Sequence, residues 1–216
     1  SSITSACFFG DSAATADADA FDESFLMPPA ALAEGGTSEA LTAAGPKSCA
    51  SFDFGSASTD FPTDGHYSIT FQNCYWAAGC KERMPRARNA ELHILSCYYS
   101  VGTSSSVAIG LGGGDNNTTC YVENTNFSSV TSTYKNYIST DGGTVAINFS
   151  NCQNNTANVG TVSAPTYITT PIPLNQVQSY LTDATCGAGA TLQVTTAGVI
   201  TPSNCAFLGV NENKID

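Results

Sequence analysis

The chain has 216 residues, with seven Lys or Arg against 18 Asp or Glu and a formal charge of −11. Phosphate binding needs spread positive charge, so the pI near 4.3 argues against a nucleic-acid partner. Only 12 % of residues are charged, about half the usual share, while Ser, Thr, Asn, Gly and Ala abound, which suits a secreted, hydroxyl-rich β surface. The length fits one domain with a sizeable core.

Taken in chain order, residues 1–66 are expected to form an N-terminal cap of loop and short helix. The opening "SSITSACFFG" has neither Met nor a charged leader and is expected to be a processed mature form. An acidic run follows, with Asp17, Asp19, Asp22 and Glu23. It reads as a solvated loop rather than an oxygen-rich calcium site, because charge runs are usually solvated. A short helix is expected after Pro28-Pro29, ending at Gly45-Pro46.

From 67 to 153 the text becomes β-like, in "YSITFQNCYW", "AELHILSCYYS", "TTCYVENTNFSSV" and "GTVAINFSNC". Aligned, these runs place Asn73, Ser96, Asn124 and Asn151 at one position, with spacings of 23, 28 and 27 residues. A strand ending in Asn at such a period is the mark of a solenoid, and residue types recur as well as polarity. A parallel β-helix of four or more coils is therefore preferred over an antiparallel sandwich. Coils stacked about 4.8 Å apart would set Asn73, Asn124 and Asn151 in an inward ladder interrupted by Ser96. Residues 154–216 form the C-terminal tail or cap, with a Pro-led helix near 174–184 and one or two strands.

Nine cysteines without CxxC or Cys/His zinc spacing, and only His66 and His93, argue against a structural metal site or a haem. The cysteines are expected to be mostly disulfides formed in an oxidising compartment. Cys74 and Cys97 occupy equivalent coil positions, where they either bridge or stack unbridged as small apolar groups. Five sequons, at Asn116, Asn117, Asn126, Asn148 and Asn154, add candidate glycosylation sites.

Lys81, Arg83, Arg86 and Arg88 hold four of the chain's seven cations within eight positions. Around them, "DGHYSITFQNCYWAAGCKERMPRARNAELHILSCYYS" resembles the central coils of secreted bacterial pectate lyases. That family carries a strand of the type ITFHHN, then RxPRxRxG, then VHVYNNYY. The resemblance implies an all-β, right-handed, single-stranded parallel β-helix with short flanking helices. It implies that Arg83 is the Brønsted base on C5 of galacturonate and that Arg88 holds the substrate carboxylate. Arg86 would be its binding or structural neighbour, Lys47 the catalytic lysine, and Ca²⁺ the activating cofactor. Here Asn89-Ala90 stands where the family has Phe-Gly, and Ser96-Cys97 where it has Asn-Asn. The earlier coils that carry the family's calcium ligands have no counterpart.

Each sharp reading has a plainer partner. The arginines alternate with Met84, Pro85 and Ala87, so they form either an anion groove or salt bridges to the chain's carboxylates, the latter being preferred. His93 is read as a surface or coil-stacking residue, and Tyr75, Trp76, Tyr98 and Tyr99 as packing before sugar stacking. The expectation for function is an extracellular structural subunit, its catalysis lost, that assembles head to tail with copies of itself into a filament or surface layer. It needs no cofactor and has no membrane span. The alternative is a calcium-dependent pectate lyase, or a uronate-binding module, with acidic polysaccharide as partner.

Overall fold

A computed structural model describes residues 53–183, with Phe8–Phe9, Gly187, Gln193–Val194 and Ile200–Thr201. Strands β1 (Phe8–Phe9) and β2 (Asp53–Phe54) lie ahead of the first complete turn, made by β3 (Tyr67–Gln72), β4 (Tyr75–Trp76) and β5 (Arg86–Ala87). The second turn is β6 (Ala90–Leu95), β7 (Tyr98–Ser100) and β8 (Val107–Leu111). The third is β9 (Thr118–Glu123), β10 (Asn126–Ser129) and β11 (Ser132–Asn136), closed by the single helical turn α1 (Ile138–Asp141). Strand β12 (Val145–Ser150) begins a fourth turn. Equivalent strands pair in parallel to give three four-stranded sheets, β1-β4-β7-β10, β2-β5-β8-β11 and β3-β6-β9-β12. The fold is thus the parallel β-helix, with about three turns rather than four full coils. The helix expected at 28–44 lies outside the described residues.

Period-two alternation decides what faces inward along each strand. On the β3-β6-β9-β12 sheet the inner row includes Phe71, Ile94, Val122 and Phe149, one register position per coil. Next to it, the fully buried Trp76 and Tyr99 stack at 5.7 Å, and Tyr99 stacks on Phe127 at 4.7 Å. The Tyr99 hydroxyl donates to the Met84 carbonyl at 2.7 Å, which satisfies a polar group inside an apolar core.

The recurring Asn position explains itself through backbone geometry. Asn73, Ser96, Asn124 and Asn151 have φ of 56°, 52°, 47° and 49°, the left-handed region that Asn tolerates better than most residues. Each turns the chain between adjacent sheets. The ladder does not face inward, however. Cys74, Cys97 and Cys152 of the following position line the core. The Ser96, Asn124 and Asn151 side chains instead meet the returning C-terminal segment or each other: Asn151 Nδ2 donates to Asn124 Oδ1 at 2.6 Å, and Asn124 Nδ2 to the Ile172 carbonyl at 3.2 Å. Ser96 interrupts the row for a reason. Its Oγ accepts the Ile172 N–H at 2.8 Å and donates to the Ile172 carbonyl, so a backbone peptide occupies the space an asparagine amide would fill.

That segment runs back along the solenoid and ends in helix α2 (Leu174–Leu181). Pro173 precedes the helix, where its missing N–H costs nothing. Val177 and Leu181 bury against Tyr98 and Ile172, with Tyr75 at the margin. A further piece, 153–159, closes the end of the third turn. Val159 pairs antiparallel with Ile147, the Gln153 backbone bridges Asn126, and the Asn154 carbonyl accepts from Thr133. Beyond α2, β13 (Gln193–Val194) and β14 (Ile200–Thr201) form an antiparallel pair.

Candidate functional site

The R-M-P-R-A-R element falls at the entry to β5, and its outer face carries an ion-pair network. Asp53 lies in register with Arg86 on the neighbouring strand. Arg83, at φ 63° just before a cis Met84–Pro85 peptide, pairs its NH1 with Asp53 Oδ2 at 2.6 Å. Arg86 is the buried member: its side chain crosses Gly110, its Cζ lies 3.8 Å from the centre of the Tyr137 ring, and its NH2 bonds Asp141 Oδ2. The Arg88 Nε approaches the same carboxylate oxygen at 3.2 Å, while its NH1 donates to the Gly55 carbonyl.

Local sequence builds this arrangement. Gly110 and Gly112 leave open the space that Arg86 and Asp141 occupy; a Cβ on Gly112 would sit 2.0 Å from Asp141 Oδ2. The helical turn α1 then brings Asp141 back over β8. Burial pushes the Asp141 carboxyl up, but the hydrogen bond and charge of Arg86 and the charge of Arg88 outweigh it, leaving the group below the usual carboxylate range. The side chains of Arg86 and Asp141 are 9 % and 7 % exposed, whereas Arg83 is 52 % exposed. Chemically, the network holds two guanidinium groups fixed and charged against one carboxylate.

Calcium does not fit the described part of this face. Its carboxylates, Asp53 and Asp141, are both engaged by guanidinium groups, and no group of three or more His, Cys, Asp or Glu among the described residues suits a metal. Lys47 and the Asp17, Asp19, Asp22 and Glu23 run lie outside the described residues. No protein-family model matches the chain, and no curated protein matches it. The arginine cluster therefore stands on its own geometry.

Sequence reasoning missed the partners of these arginines. The coil period was the available signal: Asp53 precedes Arg83 by 30 positions and Asp141 follows Arg86 by 55, about one and two coils.

A second polar cluster lies on the outer face of the β3-β6-β9-β12 sheet. His93 is 3 % exposed, covered by Tyr167 of the returning segment. Its Nε2 donates to Glu123 Oε1 at 3.0 Å, and its Nδ1 meets the Tyr167 hydroxyl. That hydroxyl also bonds Thr70 Oγ1 at 2.7 Å. Burial lowers the His93 pKa against the opposing pull of Glu123, so the ring is neutral at neutral pH. The side chain faces away from the core as alternation requires, yet it is not at the surface.

The remaining candidates resolve simply. Trp76 and Tyr99 are core, while Tyr75 and Tyr98 stack on each other at 5.3 Å beside α2. Cys74, Cys80, Cys97, Cys120 and Cys152 are thiols, not half-cystines. This corrects the expectation of mostly oxidised cysteines, since at most four of the nine are left to pair. The physical reason is the inward turn position, where sulfur acts as a small apolar group; Cys97 Sγ also donates to the Phe71 carbonyl at 3.5 Å. Among the sequons, Asn117 and Asn154 are exposed, and Asn116 and Asn148 are half-buried. Asn126 is 5 % exposed, which leaves no room for a glycan in the folded chain.

Proposed function

We propose that this chain is an extracellular structural β-solenoid, a pectate lyase-like scaffold that no longer performs the elimination reaction. One observation carries the reading: the arginines that match the lyase element are tied to Asp53 and Asp141. A base at C5 must reach a substrate proton and lose its own, and ion pairing to a carboxylate holds a guanidinium protonated. The extracellular part rests on the exposed sequons and the small share of charged residues; the buried thiols withdraw one of its original supports.

Self-assembly is the second part of the proposal. A copy stacking in register on the third turn would have to displace residues 153–159, which cover β10 and β12. Head-to-tail growth therefore requires that this piece swing aside. The alternative, a calcium-dependent lyase or uronate-binding module, is favoured by the exposure of Arg83 alone.

Incubation with polygalacturonate and Ca²⁺ at alkaline pH tests catalysis. No unsaturated, ultraviolet-absorbing product is expected. Turnover abolished by Arg83→Ala would restore the enzyme. Negative-stain imaging of concentrated protein tests assembly, and single particles at every concentration would remove the polymer.

A further inference from the structure

Outside the arginine face, the outer side of β3, β6 and β9 forms the floor of a cleft of about 350 Å³, roofed by residues 162–167. Two register rows cross the floor: Ser68, Glu91 and Thr119 in one, Thr70, His93 and Tyr121 in the next. The groups divide by what they already do. Thr70 and His93 both bond the Tyr167 hydroxyl, and Glu123 braces His93 from the adjoining row. They hold the wall. The side chains of Ser68, Glu91, Thr119 and Tyr121 make no hydrogen bond among the described residues, and all four line the cleft.

We propose that this cleft binds a neutral, hydroxyl-rich ring, one or two sugar units without a carboxylate. The argument has three parts. Glu91 accepts two hydroxyl hydrogen bonds through its carboxylate, and Ser68, Thr119 and Tyr121 either donate or accept, which is the complement of a polyol edge. Tyr167, 47 % exposed, presents an aromatic face whose position is fixed because its hydroxyl is anchored; Tyr121 stands across His93 from it. A wall already held in place costs little ordering entropy on binding. Finally, the lining contains Glu91 and no Lys or Arg, so a uronate or other anion is repelled. The volume lies at the low end of the range for small-ligand sites, enough for one or two rings.

This site is separate from the proposed loss of lyase chemistry and would give a structural solenoid a means of adhering to neutral polysaccharide. Isothermal titration of the full chain with trisaccharides of β-1,4-linked glucose, mannose and N-acetylglucosamine, and with trigalacturonate, tests it. At least one neutral probe is expected to bind with a Kd of about 0.1–10 mM, as suits a single shallow site. Glu91→Ala, at an exposed position, should weaken that binding about tenfold, and Tyr167→Phe should weaken it less than Tyr167→Ala, because the ring face remains. Circular dichroism confirms that each variant folds. Absence of binding by all three neutral probes, equal binding by Glu91→Ala, or preference for trigalacturonate would each overturn the proposal.

Discussion

Asp141→Asn is the sharpest probe of the arginine network. Asp141 Oδ2 bonds Arg86 NH2 and lies 3.2 Å from Arg88 Nε, in a place where its side chain is only 7 % exposed. The amide keeps the shape and removes the charge, leaving Arg86, itself 9 % exposed, as an uncompensated buried cation. Breaking a buried pair in this way costs about 3–5 kcal/mol, a large part of a total stability of about 5–15 kcal/mol. The exposed Arg83–Asp53 pair is a built-in reference, for which Arg83→Ala should cost about 0–1 kcal/mol. Urea unfolding followed by fluorescence of Trp76, the one tryptophan and fully buried, reads both. With a slope of about 2 kcal/mol per molar, Asp141→Asn should lower the midpoint by about 2 M. The double variant Arg86→Met/Asp141→Leu removes both charges and should be less destabilised than Asp141→Asn alone. If Asp141→Asn costs no more than Arg83→Ala, the network is a surface feature and the reasoning fails.

Further expectations concern the core and pH. Tyr99→Phe strands the Met84 carbonyl in the apolar interior and should cost about 1–3 kcal/mol in thermal or urea unfolding; an unchanged midpoint would mean that water or another donor replaces the hydroxyl. Burial raises the Asp141 pKa, but its arginine partners together more than offset this and leave it below 3.8, so the unfolded chain takes up protons first as pH falls. Stability from this group is present above pH 3.8 and lost on acidification below it; a wild-type acid limb no steeper than that of Asp141→Asn would contradict the assignment. Burial raises the pKa of Cys120 beyond the ordinary thiol range and that of Cys152 to about 11. Alkylation of native protein near neutral pH should therefore spare both, while denatured, unreduced protein should show at least five thiols. Rapid native labelling of Cys120 would refute its placement.

The solenoid was legible where sequence and backbone state the same thing twice. Along β3, β6, β9 and β12, six-residue alternation ends at a residue forced into left-handed geometry, and Asn marks that position. The β2-β5-β8-β11 sheet left no such trace. Strand β5 is two residues long, and β8 is buried on both sides because α1 and Tyr137 cover Gly110 and Gly112, which erases the alternation. The outward direction of the Asn row was also hidden, since it depends on Ile172 arriving from 76 residues away. His93 is the same case. Its period correctly placed it away from the core, but its burial comes from Tyr167, 74 residues later, and local pattern carries no information about such a cover.

The returning segment changes how this solenoid comes apart. A stack of coils touching only their neighbours frays from its ends, one repeat at a time. Here Tyr167 bonds Thr70 of the first complete turn and His93 of the second, and Ile172 joins Ser96 of the second to Asn124 of the third. These contacts span up to 97 residues, so loop-closure entropy makes the segment the last piece to settle during folding. Once settled, it binds three successive turns into one cooperative unit. No single turn then opens without releasing the clasp, and hydrogen exchange across β3, β6 and β9 should proceed at one shared rate instead of a gradient.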